Sequence, residues 1–180
     1  MATLITLNHI ENSARERVLA EIREIFFLSS NVTEFESKEK KENFYRRWLG
    51  YYLAHYSQST WCALDEQGKV LAYLTVCLNT HEFLESYPLE SLKLFKDFYT
   101  SYPAHLHMNT HPSARGQGLG AKLLALAIEH LRQAGISGLH LITGAGERNV
   151  GFYERCGFGQ LDCQKFKGNE FLLLGFELST

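Results

Sequence analysis

A chain of 180 residues that is 45% hydrophobic and 21% charged has apolar material for a substantial core and none of the charge bias of a disordered chain. Its 18 Lys and Arg stand against 20 Asp and Glu, a net charge of −2, so neither nucleic acid nor a membrane is the expected partner. Cys62, Cys77, Cys156 and Cys163 form no Cys-x-x-Cys pair, which argues against a metal site and against a disulfide framework. No basic segment followed by an apolar run opens the sequence, and no apolar run is long enough to span a bilayer, so the expectation is a cytoplasmic protein.

Residues 3–7 (Thr-Leu-Ile-Thr-Leu) read as a short strand. Over 11–27, Val18, Ile22, Ile25 and Phe26 recur at helical steps between charged residues. A second helix is predicted over 37–56, with Phe44, Trp48, Tyr51, Tyr52 and Tyr56 as an aromatic stripe best read as a packed face. Two apolar segments, 60–64 and 70–76, flank Asp65-Glu66-Gln67-Gly68 and predict a hairpin. Residues 79–102 look like an insertion carrying one helix over 89–99, and a strand follows through His105 and Thr110.

After Pro112 the pattern changes. Residues 115–120 (Arg-Gly-Gln-Gly-Leu-Gly) open a helix with Leu119, Leu123, Leu124, Ala127 and Leu131 on one face and Gly135 as its stop. A strand over 139–143, a helix over 148–156 and two strands, 160–166 and 170–178, complete the chain, the last two joined by Lys167-Gly168-Asn169. No repeat or low-complexity linker marks a boundary, so residues 1–180 are expected to be one domain. The order β-α-α-β-β-(insertion)-β-α-β-α-β-β implies an α/β (α+β) fold with a mixed, mostly antiparallel sheet of six or seven strands.

A glycine-rich turn at a helix start is suited to anions. The first helical N–H groups lack intrahelical partners and sit at the positive end of the macrodipole. Gly116, Gly118 and Gly120 let phosphate oxygens reach the backbone, and Arg115 adds a fixed positive charge. Taken alone, the pattern suits an ordinary glycine turn equally well. A dinucleotide-binding loop needs Gly-x-Gly-x-x-Gly spacing and a nucleotide-binding P-loop needs Gly-Lys-Ser/Thr, and neither is present here.

Pro112-Ser113-Ala114-Arg115-Gly116-Gln117-Gly118-Leu119-Gly120, followed by Phe152-Tyr153-Glu154-Arg155-Cys156-Gly157-Phe158, resembles the paired signature of the GNAT superfamily of acyl-CoA N-acetyltransferases. Tyr102-Pro103-Ala104-His105-Leu106-His107 and the preceding insertion resemble bacterial relatives of the acetyltransferase-like C-terminal domain of O-GlcNAc hydrolases. The resemblance implies the GNAT fold and acetyl-CoA as cofactor, with the amides of Arg115, Gly116, Gln117, Gly118, Leu119, Gly120 and Ala121 at its pyrophosphate. It places the backbone of Met108, Asn109 and Thr110, together with Asn149 and Phe152, along the pantetheine.

Tyr153 then matches the family tyrosine that protonates the departing thiolate, with packing against the pantetheine as its alternative use. The alternation of His105, His107, Asn109 and His111 on one strand offers candidate bases, His105 and His107 foremost. Each histidine is equally open to a structural hydrogen bond, the favoured use for His111, and a metal site is not expected. Related sequences often carry an acid where Asn109 stands, and the usual upstream asparagine is replaced by Gly146, with Asn149 left to contact the cofactor or cap the helix. The implied function is direct transfer of acetyl from acetyl-CoA to a primary amine, on a small molecule, peptide or protein. The alternative is an inactive CoA-binding or interaction module of the same fold. A homodimer is compatible with the resemblance.

Overall fold

A computed structural model describes residues 2–178. Its elements are β1 (Thr3–Thr6), α1 (Asn12–Ser29), α2 (Lys38–Tyr45), α3 (Tyr51–His55), β2 (Thr60–Leu64), β3 (Val70–Cys77), α4 (Thr80–Ser86), α5 (Glu90–Lys93), β4 (Ala104–Thr110), α6 (Leu119–Gln133), β5 (Gly138–Gly144), α7 (Val150–Arg155), β6 (Gly159–Phe166) and β7 (Asn169–Glu177). The seven strands run in the order β1-β2-β3-β4-β5-β7-β6. β4 pairs with β5 in parallel, whereas β1/β2, β2/β3, β5/β7 and β6/β7 are antiparallel. This is the mixed, mostly antiparallel α/β sheet with flanking helices that the element order implies.

The chain divides into two compact units, one of residues 1–76 with 107–127 and one of 77–106 with 128–180. In the first, Val18, Ile22, Ile25 and Phe26 bury the predicted face of α1 in a core with Leu7, Leu49, Cys62 and Tyr73. Polar ties hold α1 to the hairpin turn: Arg17 donates to the Gly68 carbonyl at 2.9 Å, and Glu21 accepts from the Val70 N–H at 2.8 Å. The predicted 37–56 helix is interrupted by a π-type turn at Arg46–Gly50, closed by the Tyr51 N–H on the Arg46 carbonyl. One extra residue in a turn shifts the helical phase. Leu49, Tyr52 and Leu53 consequently face the core while Phe44 and Trp48 stay half-buried.

The second unit corrects the reading of 79–102. A helix was not expected at Thr80–Ser86, yet Asn79 caps α4, accepting from the N–H groups of His81 and Glu82 at 3.1 and 3.3 Å. The single helix expected over 89–99 is two pieces, α5 and a 3-10 turn at Lys96–Phe98. The Leu92 carbonyl, which a continuing helix would give to residue 96, accepts instead from the Phe95 N–H and the Tyr99 hydroxyl. Phe95 and Tyr99 are thereby drawn into a core with Leu173.

Gly138 opens β5 where a Cβ would overlap the Ser101 carbonyl oxygen and lie 2.7 Å from the Tyr102 ring. Gly138→Ala is therefore expected to destabilise the protein by about 1–3 kcal/mol, the cost of overpacking against backbone that cannot yield. A lowered urea midpoint at unchanged slope would show it.

Candidate active site

The phosphate-loop segment belongs wholly to the first unit. A short 3-10 turn at Pro112–Ala114 delivers the chain to it, capped by the His111 ring: Nδ1 accepts from the Ser113 N–H at 3.3 Å and lies 2.7 Å from Ser113 Oγ. His111 thus has the structural use favoured for it. Gly116 and Gly118 take left-handed φ of +80° and +74°, and a Cβ on either would meet nothing within 4 Å. Neither is glycine because the fold is crowded there. The Lys122 N–H closes the first helical turn on the Gly118 carbonyl.

Among the described residues, no protein acceptor receives the N–H groups of Gly116, Gln117, Gly118, Leu119, Gly120 or Ala121. Arg115 and Ala121 are exposed at the two ends of this run. Six consecutive bare amides at the positive end of a 15-residue helix fit a diphosphate.

The strand entering this loop is half-ladder. β4 pairs with β5 at Ala104↔Leu139 and His105↔His140, where the ladder ends. Among the described residues the β4–β5 register includes no residue of 108–110, and an added extended chain requires backbone groups left unpaired on a strand edge. Asn109 is not a base: its Nδ2 donates to the Tyr73 hydroxyl at 2.9 Å.

His107 lies between the rings of Phe26 and Tyr73, each with its centroid 5.8 Å away. Burial lowers its pKa to about 4, so the imidazole is neutral at neutral pH. Neither ring nitrogen is hydrogen-bonded among the described residues, and neither is sealed from solvent.

His105 has a different setting. It is 4% exposed, in the second unit, with Nδ1 2.8 Å from Thr80 Oγ1 and its ring against Phe83. The Thr80 hydroxyl donates to the Pro103 carbonyl at 2.7 Å, so it accepts from His105 Nδ1–H. These contacts fit the structural alternative raised for this histidine better than the role of base.

In the second unit Tyr153 is 4% exposed, its ring against Phe152 and Phe158 at 5.1 and 5.5 Å. Burial raises its pKa well above the ordinary phenol value, so the hydroxyl keeps its proton. Among the described residues that hydroxyl has no hydrogen-bond partner, although it is not fully enclosed. Asn149 precedes α7 without the capping bond expected as one of its uses, since its Oδ1 accepts from Thr143 Oγ1 at 3.0 Å and its backbone is already helical.

Three residues that the linear pattern did not assign to the site matter here. Tyr73 and Phe26 frame His107, and the alternation of apolar residues gave no sign that they meet it. His140 is wholly buried, stacked on Tyr99 at 4.6 Å, and donates Nδ1–H to the Tyr102 carbonyl at 2.7 Å while Nε2 has no partner. Burial is the main cause of its lowered pKa, about 4.

The unfolded chain therefore binds this proton first, near pH 6.5, and the folded protein only near pH 4. This contribution to stability is fully present above 6.5 and is lost as pH falls toward 4, about 3 kcal/mol. His140→Phe, which keeps an apolar ring on Tyr99, is expected to shrink the difference in urea midpoint between pH 7 and pH 4.5.

Among the described residues, no helix is long and apolar enough to cross a membrane, and no cluster of three or more His, Cys, Asp or Glu is placed to hold a metal. Residues 9–158 match the acetyltransferase (GNAT) family. The fold is similar to that of a solved protein named SsHAT, at 18% identity and a TM-score of 0.75 over 99% of both chains. An N-acetyltransferase from Staphylococcus aureus Mu50 is similar at 14% identity and a TM-score of 0.63 over 99% of both chains. A phosphinothricin acetyltransferase from Sinorhizobium meliloti, solved in complex with AcCoA, is similar at 17% identity and a TM-score of 0.61, over 98% of this chain and 88% of that one. With 150 of its 180 residues matched (9–158), the chain belongs to the acetyltransferase (GNAT) family and is an acetyl-CoA-dependent N-acetyltransferase.

Proposed function

We propose that the protein transfers the acetyl group of acetyl-CoA directly to a primary amine, as a single acetyltransferase domain. The observation that carries the reading is the run of bare amides from Gly116 to Ala121, held open by two left-handed glycines. Each hydrogen bond from such an amide to a charged oxygen contributes roughly 1.5–3 kcal/mol, so several together supply a firm diphosphate grip. Acetyl-CoA supplies an acetyl group already activated as a thioester.

The residues divide the remaining work. The free edge of Met108, Asn109 and Thr110 holds the pantetheine arm in extended form, and a backbone N–H there polarises the acetyl carbonyl. Asn149 Nδ2 and the half-buried Phe152 add contacts along the arm. As the C–S bond breaks and the N–C bond forms, Tyr153 gives its retained proton to the sulfur.

His107, neutral and with open nitrogens, accepts the amine proton, through water where the distance requires it. A pKa near 4 makes it a weak base, which suits an amine that arrives already uncharged. His105 positions the strand through Thr80.

Calorimetric titration tests the assignment of the loop. Acetyl-CoA is expected to bind at least about a hundredfold more tightly than S-acetylpantetheine, which lacks the diphosphate and with it two or more charge-assisted hydrogen bonds. Equal affinities would remove residues 115–121 from the diphosphate role. Binding without thiol release across a broad amine panel would leave a CoA-binding module.

A further inference from the structure

Burial changes along β4: residues 104–106 are buried, whereas His107, Met108, Asn109 and Thr110 are each half-open. Among the described residues the β4–β5 register ends at His105, just before that change. From His107 onward the strand belongs to the first unit, with β3 beside it in the sheet. Near its end this stretch is bonded to β3 by both backbone and side chain. The His111 N–H donates to the Leu71 carbonyl at 2.8 Å. Two residues inward on each strand, Asn109 Nδ2 donates to the Tyr73 hydroxyl at 2.9 Å.

Tyr73 is fully buried, and a buried phenol needs a hydrogen-bond partner, which accounts for the bond. It does not account for where the donor sits. Asn109 is the middle residue of 108–110, and the Tyr73 ring also lies 5.8 Å from the imidazole of His107. One side chain, fixed in the core, thus touches the strand twice, by hydroxyl at Asn109 and by ring at His107. A backbone bond sets the spacing of two strands but leaves their twist adjustable. A tie between side chains on one face resists that twist.

We propose that Tyr73 is a positioning residue of the cofactor site, its hydroxyl holding Asn109 so that 108–110 stay set to receive the pantetheine arm. The inference rests on the reading of 108–110 as the pantetheine edge. Without the tie the edge samples other arrangements, and apparent affinity falls by the fraction that stays competent. One net hydrogen bond shifts such an equilibrium by a factor of about 3–10.

The test compares acetyl-CoA with ADP, which carries a diphosphate and no pantetheine, on the full-length protein. Tyr73→Phe keeps the ring beside His107 and removes only the hydroxyl. By calorimetry it is expected to weaken acetyl-CoA about 3–10-fold and to leave ADP within about twofold, which also shows that the variant is folded. Asn109→Ala should give the same loss. The double variant should lose no more than either single one, because the same bond is cut in all three. Equal weakening of ADP, unchanged acetyl-CoA affinity, or losses that multiply in the double variant would each overturn the proposal.

Hydrogen exchange separates this inference from the reading beneath it. Acetyl-CoA, unlike ADP, is expected to slow exchange of the 108–110 amides in the wild-type protein, and Tyr73→Phe to quicken it in the free protein. Protection by acetyl-CoA with no effect of Tyr73→Phe keeps the pantetheine edge and overturns the tie. Faster exchange in Tyr73→Phe without protection by acetyl-CoA overturns the edge itself, and Tyr73 then holds the strand for stability alone.

Discussion

Replacing Tyr153 by Phe is expected to lower kcat by about 10²–10⁴-fold while acetyl-CoA affinity stays within about twofold. The ring makes its packing contacts with Phe152 and Phe158 through carbon, and phenylalanine retains them. What disappears is one hydroxyl that is kept protonated by burial and that no described protein group uses. A purely packing role for Tyr153 predicts no change in turnover, and a role in gripping the cofactor predicts parallel loss of turnover and affinity. Pre-steady-state thiol release at saturating acetyl-CoA, set beside a calorimetric Kd, distinguishes the three results.

Gly118→Glu is expected to abolish acetyl-CoA binding at millimolar cofactor while the protein remains folded. Two effects act together. A Glu at φ +74° carries the left-handed penalty, about 1–2 kcal/mol, which lowers Tm by several degrees but does not unfold a protein of this size. A Cβ at 118 has nothing of the protein within 4 Å, so the side chain is accommodated and its carboxylate adds a negative charge beside the amide run. Gly118→Ala has the backbone penalty without the charge. If it binds acetyl-CoA and the Glu variant does not, anion repulsion is the cause. Retained binding in the Glu variant, with an unchanged far-UV circular dichroism spectrum, would place the diphosphate elsewhere.

Where a residue's partner is close in sequence, the linear pattern was readable. The apolar face of α6, with Leu119, Leu123, Leu124, Ala127 and Leu131 buried, follows from period alone, and Gly135 at φ +69° ends the helix as its position suggests. The hairpin turns at Gly68 and at Lys167-Gly168 follow from local backbone demands in the same way, with φ of +78°, +50° and +79°. The Asn79 cap was equally local, with Glu82 three residues on accepting from Asn79 Nδ2 at 2.8 Å, and the capping-box spacing could have revealed α4.

Partners distant in sequence were not legible. The break after α5 depends on a Tyr99 hydroxyl seven residues from its acceptor and on the apolar sites that draw Phe95 and Tyr99 inward. The contrast between His105 and His107 is set by Thr80, 25 residues from the first, and by Phe26 and Tyr73 beside the second. Alternation along a strand says which side a residue takes, not what waits there. For the candidate site, the glycines announced the bare amides, but the isolated Tyr153 hydroxyl and the open nitrogens of His107 are properties of packing alone.

The amide run at 116–121 has no ionisable group in it, and that sets how its grip responds to conditions and to mutation. Main-chain N–H groups keep their protons throughout the physiological range, so the amides themselves give diphosphate binding no pH dependence. Side chains such as that of Gln117 are free to drift, because exchange of one for another leaves the donors in place. Only substitutions that twist the backbone or thrust bulk and charge into the hollow are costly. Alanine scanning of this loop would thus report little at most positions, and the lesions that silence it should gather at Gly116 and Gly118, the two points where the chain turns left-handed.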